Sequence, residues 1–399
     1  MISVVVSAHN VVNFPEGGGH LWAYLQYVRG LQQAGCEVWW LERFRWTDDG
    51  AADRQRLREF TRRMEPFGLA NRLILYSVDP ADGAAEHPRY LTMSDDRAQE
   101  VFRRADLLLN FCYAIEPALL EPFARTAMVD IDPGLLQVWM STGQLAVADH
   151  DVYFTTGETV GTPAARFSDC GLRWVHVPRP VSLEDWPWSR EPGRNEFTTV
   201  SSWWADEWVD DGSEMYENNK RVTFLELADL PRLSGQALEL AAYLGPGDRD
   251  DVRQLRAGGW RVRHVLDVAS TPASYRRYVQ ASRGEFSCAK PSCQKLQNAW
   301  ISDRTLCYLA SGRPAVVQDT GPTAYLRSGE GALRFSGLED AISALAEVTS
   351  HYQYHSRAAR ELAAAHFDAR KVAQQLLEVA LNRGPAGAHA AAALKPKPT

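Results

Sequence analysis

The sequence contains no apolar run near the ~18–20 residues that a membrane-spanning helix needs. Its opening, MISVVVSAHN, has no basic stretch ahead of the apolar one and turns polar after seven residues, so it reads as a first strand rather than a secretory leader. Positive charge is not in excess. A formal net charge of -7 and a pI near 5.9 exclude a general nucleic-acid binder, which needs a basic face for phosphate. Cysteine is sparse: Cys36, Cys112, Cys170, Cys288, Cys293 and Cys307 are scattered, and the close pair Cys288 and Cys293 lacks the CxxC or histidine partners of a zinc site. Buried thiols in a reducing cytoplasm are the expectation. No G-x-G-x-x-G follows a strand and no Walker lysine follows a glycine loop, which weighs against NAD-linked oxidoreductases and P-loop enzymes. No Ser-His-Asp or Cys-His set has diagnostic spacing.

What is there suits two domains of ordinary size: 399 residues, 45% hydrophobic and 23% charged. Short apolar runs alternate with helical patterns, the signature of parallel sheets covered by helices. Strands are predicted at 2–7, 37–41, 73–76, 107–111, 127–131, 152–155 and 174–177, several apolar throughout as for strands buried on both faces. A second series is predicted at 197–200, 238–244, 260–264, 284–287, 314–317 and 333–335. The proline-rich segment between the two series is the candidate linker. The expected organisation is therefore an N-terminal Rossmann-like domain at 1–180, a linker at 181–196 and a second Rossmann-like domain at 197–365. A helix at 366–382 is placed to cross back to the first domain, and a tail at 383–399, without apolar periodicity, is expected to be disordered.

Two stretches carry chemistry. Strand one runs through His9 and Asn10 into Glu16-Gly17-Gly18-Gly19-His20, where an amphipathic helix begins. Three glycines let backbone approach a ligand closely, and the free N–H groups of the helix start suit phosphate. His20, at that helix start, is either a base matched to neutral pH or a capping residue. In the second stretch, Gly284–Ser287 leads to Cys288-Ala289-Lys290. Ser302 then caps a helix whose first turn holds Asp303 and Arg304. Arg304 can fork onto a diphosphate there. The following strand ends in a turn at Asp319-Thr320-Gly321, expected to expose N–H groups. Thirteen tryptophans include loop residues Trp186, Trp188, Trp203, Trp204 and Trp208, whose rings can stack on a sugar or an aromatic acceptor.

These residues resemble a family. Gly284-Glu285-Phe286-Ser287, Ala289-Lys290, Ser302-Asp303-Arg304-Thr305, the run from Tyr308 to Pro314 and Gln318-Asp319-Thr320-Gly321 look like the donor-binding half of GT-B glycosyltransferases. The likeness is nearest to bacterial proteins grouped with families one and four, and it extends to the N-terminal glycine loop and to Asp130-Ile131-Asp132-Pro133-Gly134. It implies an α/β GT-B fold, two Rossmann-like domains whose parallel sheets face a central cleft. The implied activity moves a sugar from a nucleotide diphosphate-sugar such as a UDP-sugar to a hydroxyl of a small-molecule or glycan acceptor. Donor contacts are expected from Gly17, Gly18, Gly19, Lys220, Lys290, Ser302, Asp303, Arg304, Thr320 and Gly321, and acceptor contacts from Glu16, Trp22 and Trp204. Cys307 stands where many family-four enzymes have a glutamate that contacts the ribose, so neither that contact nor a retaining mechanism follows from the resemblance.

Asp132, turned out of its strand by Pro133, either accepts the proton of an acceptor hydroxyl or caps the next turn. Asp130 and Asp132 form a D-x-D string, but at a strand end in this architecture it is not read as a metal site, and no cofactor or essential metal is expected. The charge that matters is at the leaving diphosphate, with Lys220, Lys290 and Arg304 as its candidates. A nucleotide-sugar 2-epimerase on the same fold and a non-catalytic GT-B-like binding protein are the alternatives. The alanine- and arginine-rich composition fits a GC-rich bacterial genome, an association that points to natural-product acceptors. Cytoplasmic location is expected, with a homodimer left open.

Overall fold

The computed structural model describes residues 1–78, 88–189, 191–205, 208–210, 214–326 and 329–382. The tail from residue 383, expected to be disordered, lies outside the described residues.

Apolar strands set the architecture. In chain order, β1 (Ser3–Ser7), β2 (Glu37–Arg43), β3 (Leu73–Ser77), β4 (Arg89–Tyr90), β5 (Leu107–Asn110), β6 (Thr126–Asp130), β7 (Val152–Thr155) and β8 (Trp174–His176) form one sheet. Its order is β4-β3-β2-β1-β5-β6-β7-β8, parallel except for the β3–β4 pair. Val4, Val5 and Val6 and Leu107 to Leu109 have no exposed surface, because helices cover both faces. A second sheet collects β9 (Phe197–Ser201), β12 (Leu238–Ala242), β13 (Arg261–His264), β14 (Gly284–Ser287), β15 (Ala315–Gln318) and β16 (Ala332–Phe335), all parallel, in the order β13-β12-β9-β14-β15-β16. Between β9 and β12 the chain makes an antiparallel hairpin, β10 (Trp208–Asp210) with β11 (Met215–Glu217). Val209 and Tyr216 of that hairpin pack on Leu135, Val138 and Leu296.

The helix Gly18–Gln33 buries Leu21, Tyr24, Leu25, Val28 and Leu31, the stripe its periodicity foretold. The helix Ala369–Leu381 runs against it. At Gly30 a Cβ would lie 2.2 Å from the Ala369 carbonyl oxygen, so that crossing requires glycine. The chain reaches this helix after a backbone bridge in which Val181 donates to Phe367 and Ala369 donates to Val181.

The two sheets meet through the start of the Gly18–Gln33 helix. A Cβ on Gly18 would fall 2.4 Å from the carbonyl oxygens of both Ala269 and Thr271. Trp22, Trp186 and Tyr275 interlock edge to face behind it. Gly18 thus serves close approach of the second domain's backbone, besides the approach to a ligand for which the sequence reading singled out the three glycines.

Candidate functional site

In doubly wound sheets ligands lie beyond the carboxyl ends of strands, where neighbouring connections run in opposite directions. Sheet one has this switch between β1 and β5, and sheet two has it beside β9. The segments leaving β1, β6, β9, β12 and β14 bring their residues to one region. A cleft of about 470 Å³ is lined by Glu16, Gly17, Gly18, Gly19 and His20 from the first domain and by Trp204, Lys220, Ser302, Asp303 and Arg304 from the second. It continues into a smaller cavity lined by Asp132, Lys220, Lys290, Cys293 and Trp300. A third, of about 330 Å³, shares Asp132 and lies within the first domain, between His9, Tyr24, Phe111, Tyr113 and Trp139.

The main cleft has two chemically distinct parts. One is aromatic and apolar: Phe14, Tyr243, Val265, Ala269 and Tyr275 line it, with the Phe14 and Tyr243 rings 5.5 Å apart. The other is cationic. The Lys220 ammonium lies 5.4 Å from the centre of the Trp300 ring, on the same cleft as Arg304. Burial pushes the Lys220 ammonium down to about 7, with the charges of Arg304 and Lys290 acting in the same direction. Among the described residues no carboxylate forms an ion pair with Lys220.

Arg304 is placed differently from the expectation. It lines the cleft but is buried, and its fork is already engaged. Nε donates to Glu285 Oε1 at 2.7 Å, Nη1 donates to the Val200 carbonyl at 2.7 Å, and Nη2 donates to Ser287 Oγ. Its two-pronged face therefore ties the helix Asp303–Ala310 to β9 and β14 instead of waiting for a diphosphate. Ser302 caps that helix, accepting from the Arg304 N–H at 3.3 Å.

Other sequence-predicted residues divide as follows. Neither Thr320 nor Gly321 lines the main cleft, and the Gly321 N–H is engaged within its own turn. Gly321 N–H donates to Asp319, Thr320 Oγ donates to the Trp300 carbonyl at 2.8 Å, and Ala299 N–H donates to the Thr320 carbonyl. They hold the backbone that carries Trp300. Trp22 is a core residue and not an acceptor contact: it is 2% exposed, and its indole donates to the Pro272 carbonyl at 3.0 Å. Glu16 lies on the main cleft, where its carbonyl accepts from Tyr243 Oη at 3.4 Å, away from the cavity holding Asp132. Trp186 and Trp203 are fully buried, so they offer no face to a sugar. Trp204 lines the cleft, its indole fixed by Asp248 at 2.7 Å and its ring facing the Arg221 guanidinium.

His20 Nε2 lies 2.9 Å from the His9 carbonyl oxygen. A carbonyl only accepts, so Nε2 carries the hydrogen and, in the neutral ring, Nδ1 keeps the lone pair. Burial lowers the pKa of His20, favouring that neutral form. The two carboxylates of the D-x-D string have separate surroundings. Asp130 is fully buried and accepts from Gln137, Thr155 and the Asp132 N–H, and burial pushes it up to about 6. Asp132 lines two cavities and accepts from Tyr113 Oη at 3.1 Å. Among the described residues no three His, Cys, Asp or Glu side chains are grouped to hold a metal ion.

Cys307 is buried beside Gln26, whose amide lies 3.4 Å from its sulfur. That contact joins the domains and leaves Asp303, one turn earlier on the same helix, as the second domain's carboxylate on the cleft. Tyr243, Tyr275, Trp300, Tyr113, Trp139 and His9, which line the three cavities, were missed as site residues. Several follow strands directly, and the carboxyl-end rule applied to every strand would have marked them.

No family model and no curated protein matches the chain. Solved structures do. It is similar to the HepE protein of Anabaena, solved in complex with UDP and glucose (11% identity over 95% of this chain and 99% of that one, TM-score 0.56). An alpha-glucosyltransferase in complex with UDP shares 11% identity over 95% and 99%, with a TM-score of 0.59. AviGT4, a glycosyltransferase involved in avilamycin A biosynthesis, shares 14% over 96% and 98%, with a TM-score of 0.55. The likeness establishes the fold: this chain has the GT-B architecture of two Rossmann-like units about a cleft. Among the described residues no helix is long and apolar enough to cross a membrane.

Proposed function

We propose that the protein is a cytoplasmic glycosyltransferase that takes a nucleoside diphosphate-sugar, a UDP-sugar in the first instance, and transfers the sugar to an acceptor hydroxyl. One observation carries this reading. An aromatic slot and a cationic patch share a single cleft, and beyond the patch lies a separate cavity reached at Asp132. A flat base suits the aromatic slot. A diphosphate suits Lys220 and Lys290, with Arg304 adding charge from behind, and its developing negative charge at departure is what such cations stabilise. Asp303 is the candidate for the ribose hydroxyls in place of a glutamate at 307. A second cavity adjoining the first favours transfer to an acceptor over epimerisation, which needs none.

The test is stabilisation by ligand. UDP and UDP-sugars at about a hundred times their Kd should raise the stability by ~2.7 kcal/mol through mass action. No rise in Tm with any nucleoside diphosphate or its sugars would refute the reading and favour the non-catalytic alternative, which the cysteine at 307 otherwise supports.

A pH dependence follows from Lys220. Its ammonium loses its proton near pH 7 in the free protein, whereas a bound diphosphate restores it, so binding above that pH takes up a proton. UDP affinity should therefore weaken as pH rises between about pH 7 and pH 9, by as much as about tenfold per unit. In Lys220→Met the affinity should be lower throughout and the slope lost. Calorimetric titration of both proteins with UDP checks this, and an unchanged slope in the variant would remove Lys220 from the phosphate site.

A further inference from the structure

We infer that the acceptor is a flat hydroxylated aromatic molecule, bound in the first-domain cavity with one hydroxyl at Asp132. The inference rests on the glycosyl-transfer reading and narrows it to a substrate class.

The cavity's walls carry the argument. Tyr24 and Phe111 pack edge to face at 5.6 Å on one side, and Tyr113, Trp139, Ile131 and Leu145 complete the lining. Its volume of about 330 Å³ is at the small end of the range for drug-sized ligands. Polar groups are few. The Tyr113 hydroxyl is already engaged: it donates to Asp132 and accepts from the backbone N–H groups of Ile131 at 2.9 Å and of Asp132 at 3.1 Å. His9 Nδ1 lies 3.6 Å from the Cys112 sulfur, and burial lowers the His9 pKa. The Tyr24 hydroxyl accepts from the His9 backbone N–H, and the Gln144 amide at the rim donates to Thr142, which leaves the Asp132 carboxylate and the other edge of the His9 ring as the main polar groups. A saccharide would bring several hydroxyls into this space, and each one left without a partner costs about 1–3 kcal/mol of desolvation. An aromatic body loses nothing there and stacks on the rings.

Position agrees with chemistry. Asp132 lines both this cavity and the one that holds Lys220 and Lys290. A phenolic or benzylic hydroxyl at Asp132 therefore faces the cationic patch. In the transfer step the hydroxyl oxygen forms a bond to the anomeric carbon, and its proton passes to the Asp132 carboxylate. The bond from that carbon to the diphosphate oxygen breaks, and its electron pair leaves with the nucleoside diphosphate.

The experiment uses the full chain with UDP-glucose as donor. The hydroxycoumarin umbelliferone and the flavonol quercetin are compared with maltose, following glycosylated product by mass spectrometry and acceptor binding by calorimetry. The expected result is product from an aromatic acceptor and none from maltose. Trp139→Ala should then raise the acceptor KM by about tenfold or more with UDP affinity unchanged, and Trp139→Phe should restore most of it. Transfer to maltose without transfer to either aromatic overturns the inference. So does absence of any aromatic binding while UDP still binds, and so does a Trp139→Ala protein with unaltered acceptor KM. UDP binding is measured without acceptor, so its failure separately overturns the glycosyl-transfer reading and takes this inference with it.

Discussion

Arg304→Met is expected to destabilise the protein by about 3–5 kcal/mol, because it leaves the Glu285 carboxylate buried without its counter-charge. Glu285 has no exposed surface, and its Oε2 already lacks a hydrogen-bond partner. Its other oxygen accepts from Arg304 Nε. The same substitution frees the Val200 carbonyl and the Ser287 hydroxyl, one on each central strand beneath the cleft. Removing both charges should be much milder: Arg304→Met with Glu285→Leu is expected to recover most of the loss, since well-packed apolar pairs replace buried ion pairs at little cost. Thermal or denaturant unfolding of the two single variants and the double gives the coupling directly. A single variant that melts like the unaltered protein, yet binds UDP poorly, would reverse this account and make Arg304 a donor ligand first.

That outcome marks where the sequence stopped being legible. Arg304 and Glu285 are 19 residues apart, on a helix and on the strand before it. Nothing in their spacing says that one side chain reaches back to the other. The sequence could place Arg304 at a helix start and could not tell which way its guanidinium turned. Trp22 presents the same difficulty. It lies on a helix with apolar residues on more than one face, and only the arrival of Trp186 and Pro272 from distant segments makes it an interface residue. Thr320 and Gly321 were located correctly at a strand end. The hydrogen bonds of Thr320 run to a neighbouring loop, which the chain order does not reveal.

The fold was far more open to reading. Strands such as β3, β5 and β15 carry apolar runs of three or four residues bounded by polar or turn residues, and parallel sheets demand that pattern because both faces are covered. Their predicted limits fall within two residues of those observed. The strands that escaped notice are those without a buried face of their own: β4, two residues on an edge, and the hairpin of β10 and β11, whose inward positions are Val209 and Tyr216 alone. Two inward side chains are too few for a period to be recognised.

Asp132→Asn is expected to lower kcat by about 10²–10⁴-fold while the Kd for UDP stays as it was, the loss that follows removal of a positioned base. The argument turns on the contrast with its neighbour two residues away. Asp130 is sealed in, its oxygens taken up by Gln137, Thr155 and the Asp132 N–H, so it shapes the turn and has no path to a substrate. Asp132 is held by a single phenol, and it borders both the cationic patch and the aromatic cavity. An asparagine there keeps the size and can still accept from Tyr113, so the turn and the donor cleft should survive. What it cannot do is receive a proton. Rapid-mix kinetics with saturating donor would separate the two effects. A kcat that stays within about threefold of the unaltered protein would transfer the role to His20 or His9, each of which has a ring nitrogen available, and a His20→Ala variant measured alongside would say which.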